Sequence, residues 1–364
     1  MKAVVAMDSF KGSMTSLEAG NAVKEGILSV CPSAEVTVIP LADGGEGTID
    51  AIAPFVGGVV RSVTVTGPLG APVEASYIFV PSTGTAYIEM AKAAGLTLLE
   101  ETERDPYNAT TYGVGELMKD ALDNGARELV ICIGGSATND GGAGMLQALG
   151  AKFLDKSGAD IPRGCIGLKD ISSVDLSGLI GRDVKITVAS DVTNPLCGPD
   201  GASFVYAPQK GASPEACLEM DGWLKNFASV CEFDPYEPGT GAAGGMSFAL
   251  KNFLGASIES GADIVLRITG AEDLIQGCDV VVTGEGRMDS QTVNGKGPFK
   301  VMKLGLKYKK PVHGITGLLG DGYEKCLEAG FERIVPLVVP TMVKEEAIKS
   351  ASETARVLFA QPKI

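Results

Sequence analysis

Apolar and polar residues alternate along this chain with two different periods, and each period predicts a different kind of element. A short apolar run over residues 2–7 predicts a buried strand, and a helical pattern follows over residues 15–30. A second strand over residues 35–40 and a helix that runs from the glycine-rich segment 43–48 to residue 55 repeat this order. Alternating strands and helices predict a parallel sheet with helices on its faces.

The first predicted helix carries its own start signal. Ser13 or Thr15 can act as the N-cap, and Glu18 is placed to complete a capping box with it. We therefore expect the helix to begin close to residue 15 and to pack one apolar face on the sheet.

The middle of the chain changes to the two-residue period of strands. Residues 61–66, 73–80 and 85–90 alternate apolar and polar side chains between glycine- and proline-containing turns, which predicts an antiparallel meander. The remaining pattern predicts helices over 111–124, 142–149, 214–230, 241–254, 298–307, 323–329 and 344–358, and strands over 128–133, 185–189, 280–283, 312–316 and 333–338.

The end of the chain repeats the strand–helix pattern of its beginning, and the middle does not. We therefore predict an α/β fold with two domains. Residues 1–66 and 271–364 are predicted to form a discontinuous parallel α/β domain of the Rossmann-like or flavodoxin-like kind, into which residues 67–270 insert a mixed α/β domain.

Composition narrows the class of protein. The 364 residues carry 31 Lys and Arg against 45 Asp and Glu, a formal net charge of −14, which argues against a nucleic-acid partner. No apolar segment approaches the ~18 residues of a membrane span, and the first residues are typical of a strand rather than a signal peptide. The 8 cysteines are scattered and form no C-x-x-C pair. These features predict a cytoplasmic protein without a membrane partner.

The chain contains a single histidine, His313, which excludes a metal site built from several histidines. We interpret His313 as a strand residue, with a catalytic histidine as the alternative. General acid–base chemistry in this chain can instead use carboxylates.

Polar residues gather where predicted strands end. Asp8, Ser9 and Lys11 follow the first strand, where a lysine can pair with a carboxylate or a phosphate; a capped turn with a solvated lysine is the alternative. Segments 43–47 and 140–144 both read Asp-Gly-Gly-x-Gly at strand-to-helix turns. In α/β folds such turns are where ligands bind.

Two further strand ends carry acids. Asp191 follows strand 185–189 and can serve as a base for a substrate hydroxyl or hold Mg²⁺, although its Asp-x-x-Asn-Pro context also forms ordinary turns. Segment 283–296 combines two acids, an arginine, a lysine and glycines that permit close backbone approach to a ligand. Phosphoryl transfer uses carboxylates, cations and backbone N–H groups, and it does not require a histidine. Because the motifs come from both predicted domains, we expect the active site in the cleft between them.

Seven segments, in order from residue 1 to about residue 341, resemble the type I glycerate kinase family. They are Ala-Met-Asp-Ser-Phe-Lys at 6–11, Pro-Leu-Ala-Asp-Gly-Gly-Glu-Gly-Thr at 40–48, Val-Thr-Gly-Pro-Leu-Gly at 65–70, Gly-Gly-Ser-Ala-Thr-Asn-Asp-Gly-Gly-Ala-Gly at 134–144, Asp-Val-Thr-Asn-Pro-Leu at 191–196, Gly-Ala-Ala-Gly-Gly-Met at 241–246 and Thr-Gly-Glu-Gly-Arg-Met-Asp-Ser-Gln-Thr at 283–292.

The resemblance implies ATP- and Mg²⁺-dependent phosphorylation of D-glycerate, usually on the 2-hydroxyl, in glyoxylate or sugar-acid catabolism. The product stays open between 2-phosphoglycerate and 3-phosphoglycerate, and so does the oligomeric state, for which a homodimer is one alternative. Two other functions remain as alternatives: a nicotinamide-dependent hydroxy-acid oxidoreductase, and a sugar-acid-binding module without catalysis. The G-x-G-x-x-G match at 239–244 follows no apolar strand, which argues against the oxidoreductase.

On the basis of this resemblance, Asp191, Lys11 and Asp8 are predicted to be catalytic, with Asp191 orienting or deprotonating the attacking hydroxyl. Glu285 and Asp289 are predicted to hold the metal. The predicted substrate- and phosphate-binding residues are Ser9, Asp43, Gly44, Gly45, Glu46, Gly134, Gly135, Ser136, Thr138, Asn139, Asp140, Gly284, Gly286, Arg287 and Lys296.

Overall fold

A computed structural model describes residues 1–10, 12–337 and 343–360. The strands are β1 (Lys2–Met7), β2 (Glu35–Pro40), β3 (Val59–Thr66), β4 (Pro72–Val80), β5 (Thr85–Glu89), β6 (Glu128–Cys132), β7 (Lys152–Leu154), β8 (Ser173–Asp175), β9 (Lys185–Ala189), β10 (Ser257–Glu259), β11 (Val280–Met288), β12 (Val312–Leu319) and β13 (Arg333–Pro336).

The α-helices are α1 (Ser16–Val30), α2 (Thr48–Val56), α3 (Ala91–Ala94), α4 (Tyr112–Asp123), α5 (Ala143–Ala148), α6 (Ala202–Tyr206), α7 (Pro214–Val230), α8 (Ala242–Leu254), α9 (Gly261–Ile268), α10 (Ala271–Gln276), α11 (Gly297–Lys307), α12 (Glu324–Ala329) and α13 (Lys344–Ala360). Short 3₁₀ helices cover Leu96–Leu98, Glu101–Glu103, Cys165–Asp170, Pro208–Lys210 and Thr292–Asn294. None of the helices within the described ranges is long and apolar enough to cross a membrane.

The chain divides into two compact units. The first comprises residues 1–43, 50–55 and 262–364, and the second comprises residues 44–49 and 56–261. The first unit holds a parallel sheet in the order β13-β12-β11-β1-β2, and the second holds a mixed sheet in the order β10-β9-β6-β5-β4-β3. The predicted α/β fold class, with one parallel and one mixed sheet, is confirmed.

The parallel sheet of the first unit is covered on both faces. One face packs against α1 and α13 through a cluster that includes Val5, Val23 and Ala351. The other packs against α10, α11 and α12 through a cluster that includes Ile39 and Val301. A strand buried on both faces reads as a continuous apolar run, as residues 3–7 do.

Helix α1 begins where its sequence predicts. The hydroxyl of Thr15 accepts a hydrogen bond from the amide of Glu18 at 3.2 Å, and the Glu18 carboxylate accepts one from the amide of Thr15 at 2.9 Å. This reciprocal pair is the predicted capping box. Glu18 also pairs with Lys344 of α13 at 2.6 Å, and both interactions lower the pKa of its carboxyl.

The mixed sheet of the second unit joins an antiparallel meander to parallel strands. Strands β3, β4 and β5 pair antiparallel as predicted, whereas β5, β6, β9 and β10 run parallel. The sequence placed residues 59–66 in the first domain, but their pairing with β4 places them in the second unit. The core beneath the sheet contains four phenylalanines in mutual contact, Phe153, Phe227, Phe248 and Phe253.

Several elements differ from the sequence-based expectation, and two of the differences have a clear physical cause. Strand β11 continues past residue 283 to Met288 because it keeps pairing with β12, Arg287 with Leu318 and Met288 with Leu319. The helix expected from residue 241 has left-handed backbone at Ala243, with φ of +55°, and at the two glycines that follow. Regular helical geometry therefore starts only after this kink.

Candidate active site

The second unit aligns three strand ends at one edge of its sheet. Glu89 at the end of β5 pairs with Cys132 at the end of β6, and Cys132 pairs with Ala189 at the end of β9. Parallel strands present their carboxyl ends at the same edge, where α/β proteins bind ligands. The glycine-rich turn 133–142 follows β6 and Asp191 follows β9. Both therefore leave the same edge of the sheet from neighbouring strands.

Two glycine-rich turns of this unit contact each other through bare backbone. The amide of Gly134 donates a hydrogen bond to the carbonyl oxygen of Gly44 at 3.0 Å. A β-carbon on Gly134 would lie 2.5 Å from the α-carbon of Gly45, and one on Gly44 would lie 2.7 Å from the carbonyl oxygen of Ala189. The structure thus brings the turn that contains Gly44 and Gly45 against the turn that begins at Gly134.

A small side chain at Gly134 tests this contact. Gly134→Ala is expected to lower the free energy of unfolding by about 1–3 kcal/mol, because the new methyl group must push two backbones apart. The matched control is Gly222→Ala in α7, where an added β-carbon meets nothing within 4 Å. That change is expected to raise stability by about 0.5–1 kcal/mol. Equal effects of the two substitutions in urea denaturation would contradict the close approach of the turns.

The carboxylate of Glu89 holds the first of these turns. Glu89 is buried, and its two oxygens accept hydrogen bonds from the amides of Gly47 at 2.9 Å and Ile49 at 3.3 Å. These amides lie at the start of α2, where the first N–H groups of a helix have no partner within it. Glu89 was not predicted, because the sequence placed it inside strand 85–90 of an antiparallel meander and not at the end of a parallel strand.

Asp140, which the sequence placed among the ligand-binding residues, is fully buried. Its carboxylate accepts hydrogen bonds from the amide and hydroxyl of Thr111, at 2.8 and 2.9 Å, and from the amides of Gly142 and Gly144, at 3.1 and 3.3 Å. Burial raises the pKa of Asp140, and these hydrogen bonds oppose the rise. The prediction is therefore corrected: this carboxylate joins the starts of α4 and α5 instead of facing a ligand.

Thr138 and Asn139 also lie beneath the turn, because neither side chain has exposed surface. The Asn139 amide donates to the hydroxyl of Ser203 at 2.9 Å. Asn139 therefore supports the turn from within the protein, and the burial of both side chains corrects the expectation that they add donors to a phosphate. Gly134 and Gly135 form the accessible part of the turn.

Lys210 is a further residue that the sequence did not single out. It is 1% exposed, and its ammonium group donates hydrogen bonds to the hydroxyl of Ser136 at 2.9 Å and to the carbonyl oxygen of Thr138 at 2.6 Å. Its sequence context, Pro-Gln-Lys-Gly, is typical of a surface turn. No pattern in the sequence signals that this lysine is buried.

Asp191 and Glu46 are exposed acids of the second unit. Asp191 follows Ser190, whose amide donates to the carbonyl oxygen of Glu259 at 2.9 Å and so extends the pairing of β9 with β10. Glu46 accepts a hydrogen bond from the hydroxyl of Thr97 at 3.3 Å. Both carboxylates can be reached by solvent and by a small ligand.

The first unit aligns a separate set of strand ends. Met7 pairs with Pro40 of β2 and with Gly284 of β11. The amide of Asp8 donates to the carbonyl oxygen of Gly284 at 2.8 Å, and the Asp8 carboxylate accepts a hydrogen bond from the amide of Ser9 at 2.7 Å. Asp8 and Ser9, both half-buried, thus lie at the carboxyl edge of this sheet.

Asp43, Gly284 and Gly286 of this unit have different surroundings. Asp43 is exposed after β2, and Lys11 lies outside the described residues. Gly284 and Gly286 belong to β11 rather than to a loop. A β-carbon on Gly284 would lie 1.7 Å from the carbonyl oxygen of Ile315, so this glycine permits close approach of β11 and β12.

Glu285 is at the centre of a polar cluster in the first unit. Its carboxylate accepts hydrogen bonds from the hydroxyl of Thr292 at 2.7 Å and from the ammonium group of Lys296 at 2.9 Å. The Thr292 hydroxyl oxygen also accepts one from the amide of Asp289 at 3.1 Å, and Asp289 pairs with Arg287 at 3.3 Å. Four predicted residues are therefore gathered here, with the unpredicted Thr292 between them.

This cluster has the donor chemistry that Mg²⁺ uses with phosphate. Mg²⁺ prefers one or two carboxylates and takes its other ligands from phosphate oxygens and water. Glu285 and Asp289 supply two carboxylates, and Thr292 adds a hydroxyl oxygen. Among the residues that the structure describes, there is no group of three or more His, Cys, Asp or Glu side chains able to hold a metal. Two carboxylates suit Mg²⁺, and an ion held by them would take its remaining ligands from phosphate oxygens and water.

Comparison with known proteins identifies the family. The model of the glycerate kinase family matches residues 3–361. The chain is 44% identical to a glycerate kinase of Bacillus subtilis (strain 168), over 100% of this chain and 98% of that protein. It is also 44% identical to a glycerate 2-kinase of Escherichia coli (strain K12), over 96% of this chain and 94% of that protein.

A solved structure agrees with these relatives. A crystal structure from Salmonella typhimurium LT2, assigned as a glycerate kinase 2, has 43% identity and a TM-score of 0.87, over 99% of this chain and 96% of that chain. The fold, the polar strand ends and these relatives lead to the same conclusion: the chain belongs to the glycerate kinase family, a family of phosphotransferases.

Proposed function

We propose that this enzyme transfers the γ-phosphoryl group of ATP to D-glycerate, with the 2-hydroxyl as acceptor. The observation that carries this proposal is the family match over residues 3–361, together with relatives that are named glycerate kinase and glycerate 2-kinase. The groups at the two sheet edges suit the chemistry, because phosphoryl transfer depends on positioning and charge neutralisation more than on covalent catalysis.

We assign Asp191 as the carboxylate that orients or deprotonates the attacking hydroxyl. It is an exposed acid directly after a parallel strand, and a small hydroxy acid can reach it. General-base catalysis requires the base within hydrogen-bond reach of the proton that it removes. Glu46 is the second accessible acid of this unit, and we assign it to substrate binding.

Phosphate oxygens require donors and cations. We assign the Gly134–Gly135 backbone and the Ser136 hydroxyl to one phosphate contact, and Lys296 and Arg287 to another. The Gly134 amide already donates to Gly44, so the exposed backbone of Gly135 is the part of this turn that an anion can approach without meeting a side chain. When bound, Mg²⁺ neutralises charge on the phosphate oxygens, and Glu285 and Asp289 are the carboxylates that would hold it. Asp8, Ser9 and Asp43 are assigned to substrate or metal contact at the ends of β1 and β2.

Phosphorus NMR of the product tests the reaction and its regiochemistry together. With D-glycerate, ATP and Mg²⁺, we expect a new phosphomonoester signal that couples to one proton, as in 2-phosphoglycerate. Coupling to the two methylene protons would show transfer to the 3-hydroxyl instead. Binding of D-glycerate without ADP formation would favour the sugar-acid-binding module, and reduction of a nicotinamide cofactor would favour the oxidoreductase.

We also propose that the enzyme works in a reducing cytoplasm. All 8 cysteines lie in the described part of the chain, and all are free thiols. Burial raises the pKa of Cys197 and of Cys231 to about 12, so these thiols stay protonated and unreactive near neutral pH. A homodimer remains a proposal, to be tested by light scattering.

A further inference from the structure

A buried lysine lies directly beneath the proposed phosphate-binding turn. Lys210 ends the 3₁₀ helix Pro208–Lys210, and its ammonium group contacts two members of the turn, Ser136 and Thr138. Lysine is almost never fully buried without a partner, because removing its charge from water is costly. Its burial at this position therefore calls for an explanation beyond packing.

The surroundings of Lys210 place its titration near neutral pH. Burial lowers the pKa of Lys210 to about 7, and the charge of Asp140 opposes that fall. Cys165 of the same buried region keeps its proton, because burial raises the pKa of its thiol well above the ordinary range. Arg104, from the preceding segment, donates to the carbonyl oxygen of the neighbouring Gln209 at 3.1 Å. Asp140 is thus the carboxylate whose charge acts on this ammonium group.

The backbone on either side of Ser136 is fixed. The carbonyl oxygen of Gly135 accepts a hydrogen bond from the amide of Leu96 at 2.8 Å, and the amide of Ala137 donates to the carbonyl oxygen of Ala94 at 2.9 Å. Ser136 is 7% exposed, and it lies beside Gly135, which is exposed. Because the ammonium group donates to the hydroxyl oxygen, the hydroxyl proton of Ser136 is left to donate elsewhere.

We propose that Lys210 is a positioning residue for phosphoryl transfer: it orients the Ser136 hydroxyl as a donor to a phosphate oxygen at the Gly134–Gly135 turn and strengthens that donor with its charge. This inference rests on the proposed phosphate site. A chain of hydrogen bonds that starts at a cation polarises each donor along it, and the effect is larger where water is excluded. Lys210 thus supplies positive charge to the turn without touching the ligand.

Binding of inorganic tripolyphosphate, measured by titration calorimetry, tests the proposal without requiring turnover. K210M is expected to weaken binding about tenfold at pH 6.5, where the wild-type lysine carries its charge. Above the pKa of Lys210 the wild-type protein loses this charge, so the difference between wild type and K210M narrows at pH 8.5. The titration of tripolyphosphate itself is common to both proteins. The matched control is K185M, an exposed lysine that pairs with Glu128 at the opposite end of β9.

A purely structural role of Lys210 leads to different expected results. A brace that only holds Thr138 would give K210M a lower melting temperature and a pH-independent loss of binding. A lower melting temperature of K210M does not separate the two roles, because Lys210 donates to the buried carbonyl oxygen of Thr138 and its charge acts on Asp140; the pH dependence of tripolyphosphate binding does. A pH-independent loss, or unchanged binding in a folded K210M, would overturn the proposal.

Removal of the Ser136 hydroxyl is the second test of the proposal. S136A leaves Lys210 in place and is expected to weaken tripolyphosphate binding by about the same tenfold factor. The double variant should bind no more weakly than either single one, because both changes break the same chain of donors. Additive losses would refute action through Ser136, and S136A alone decides the question if K210M does not fold. Absence of glycerate kinase activity in the wild type would refute the proposed function, while these binding differences would still be measurable.

Discussion

Asp191→Asn is expected to reduce turnover of D-glycerate by about 10²- to 10⁴-fold, the usual effect of losing a general base. Asparagine keeps the shape of the side chain but cannot take a proton from the attacking hydroxyl. Because Asp191 is exposed, the substitution should change the free energy of unfolding by less than about 0.5 kcal/mol. Coupled-assay kinetics and thermal denaturation of the same preparation measure both quantities.

The control for this change lies at the other end of the same strand. Asp183 is an exposed acid just before β9 (Lys185–Ala189), whereas Asp191 follows it. Asp183→Asn removes the same charge from the same unit and is expected to leave turnover unchanged. If both variants lose activity equally, net charge is responsible and Asp191 is not the base. If Asp191→Asn keeps full turnover, the base must be sought among the other acids.

Asp140→Ala is expected to lower the free energy of unfolding by about 3–5 kcal/mol, because it leaves buried donors and the nearby Lys210 charge without their carboxylate. The amides of Thr111, Gly142 and Gly144 would each lose their acceptor. A buried donor without a partner costs the full desolvation of that group. Chemical denaturation followed by circular dichroism measures the loss.

Asp155 is a matched control for this prediction. Its carboxylate accepts hydrogen bonds from the amide and hydroxyl of Ser157 and from the amide of Ala159, at 2.6–3.0 Å, but the residue is only half-buried and these bonds are open to solvent. Water can replace those hydrogen bonds, so Asp155→Ala should lower the free energy of unfolding by less than about 1 kcal/mol. Similar losses for the two aspartates would mean that burial does not decide the effect. Asp140→Asn keeps one acceptor oxygen, so it should lower the free energy of unfolding by an amount between those of Asp140→Ala and Asp155→Ala.

Elements governed by local signals were predictable from the sequence. Strand β1 has its predicted bounds, and Thr15 and Glu18 form the expected capping box, because both features depend on residues close together in the chain. Strand β11 was predicted too short, because its second half is held by pairing with β12. The sequence around Gly284 indicated a loop, and only the partner strand shows why a glycine is needed there.

The candidate site was likewise only partly predictable from the sequence. The positions of the acids at strand ends could be anticipated, because parallel strands place their carboxyl ends together. The sequence did not show which of these side chains face outward. Asp191 is exposed and Asp140 is buried, although both follow a strand of the same sheet. Glu89 and Lys210 support the turns from segments remote in sequence, and single-sequence patterns contain no information on such contacts.

The main-chain contact between Gly134 and Gly44 has a consequence for anyone who wishes to redesign this enzyme. A turn that meets an anion with the exposed backbone of Gly135 recognises an anionic oxygen but has little means of distinguishing one phosphorylated molecule from another. The glycines also leave no side chain to exchange, since an added methyl group would collide with backbone. Altered preference for the acceptor must therefore come from accessible side chains beside the turn, such as Glu46, while Asp191 has to be kept as the proposed base.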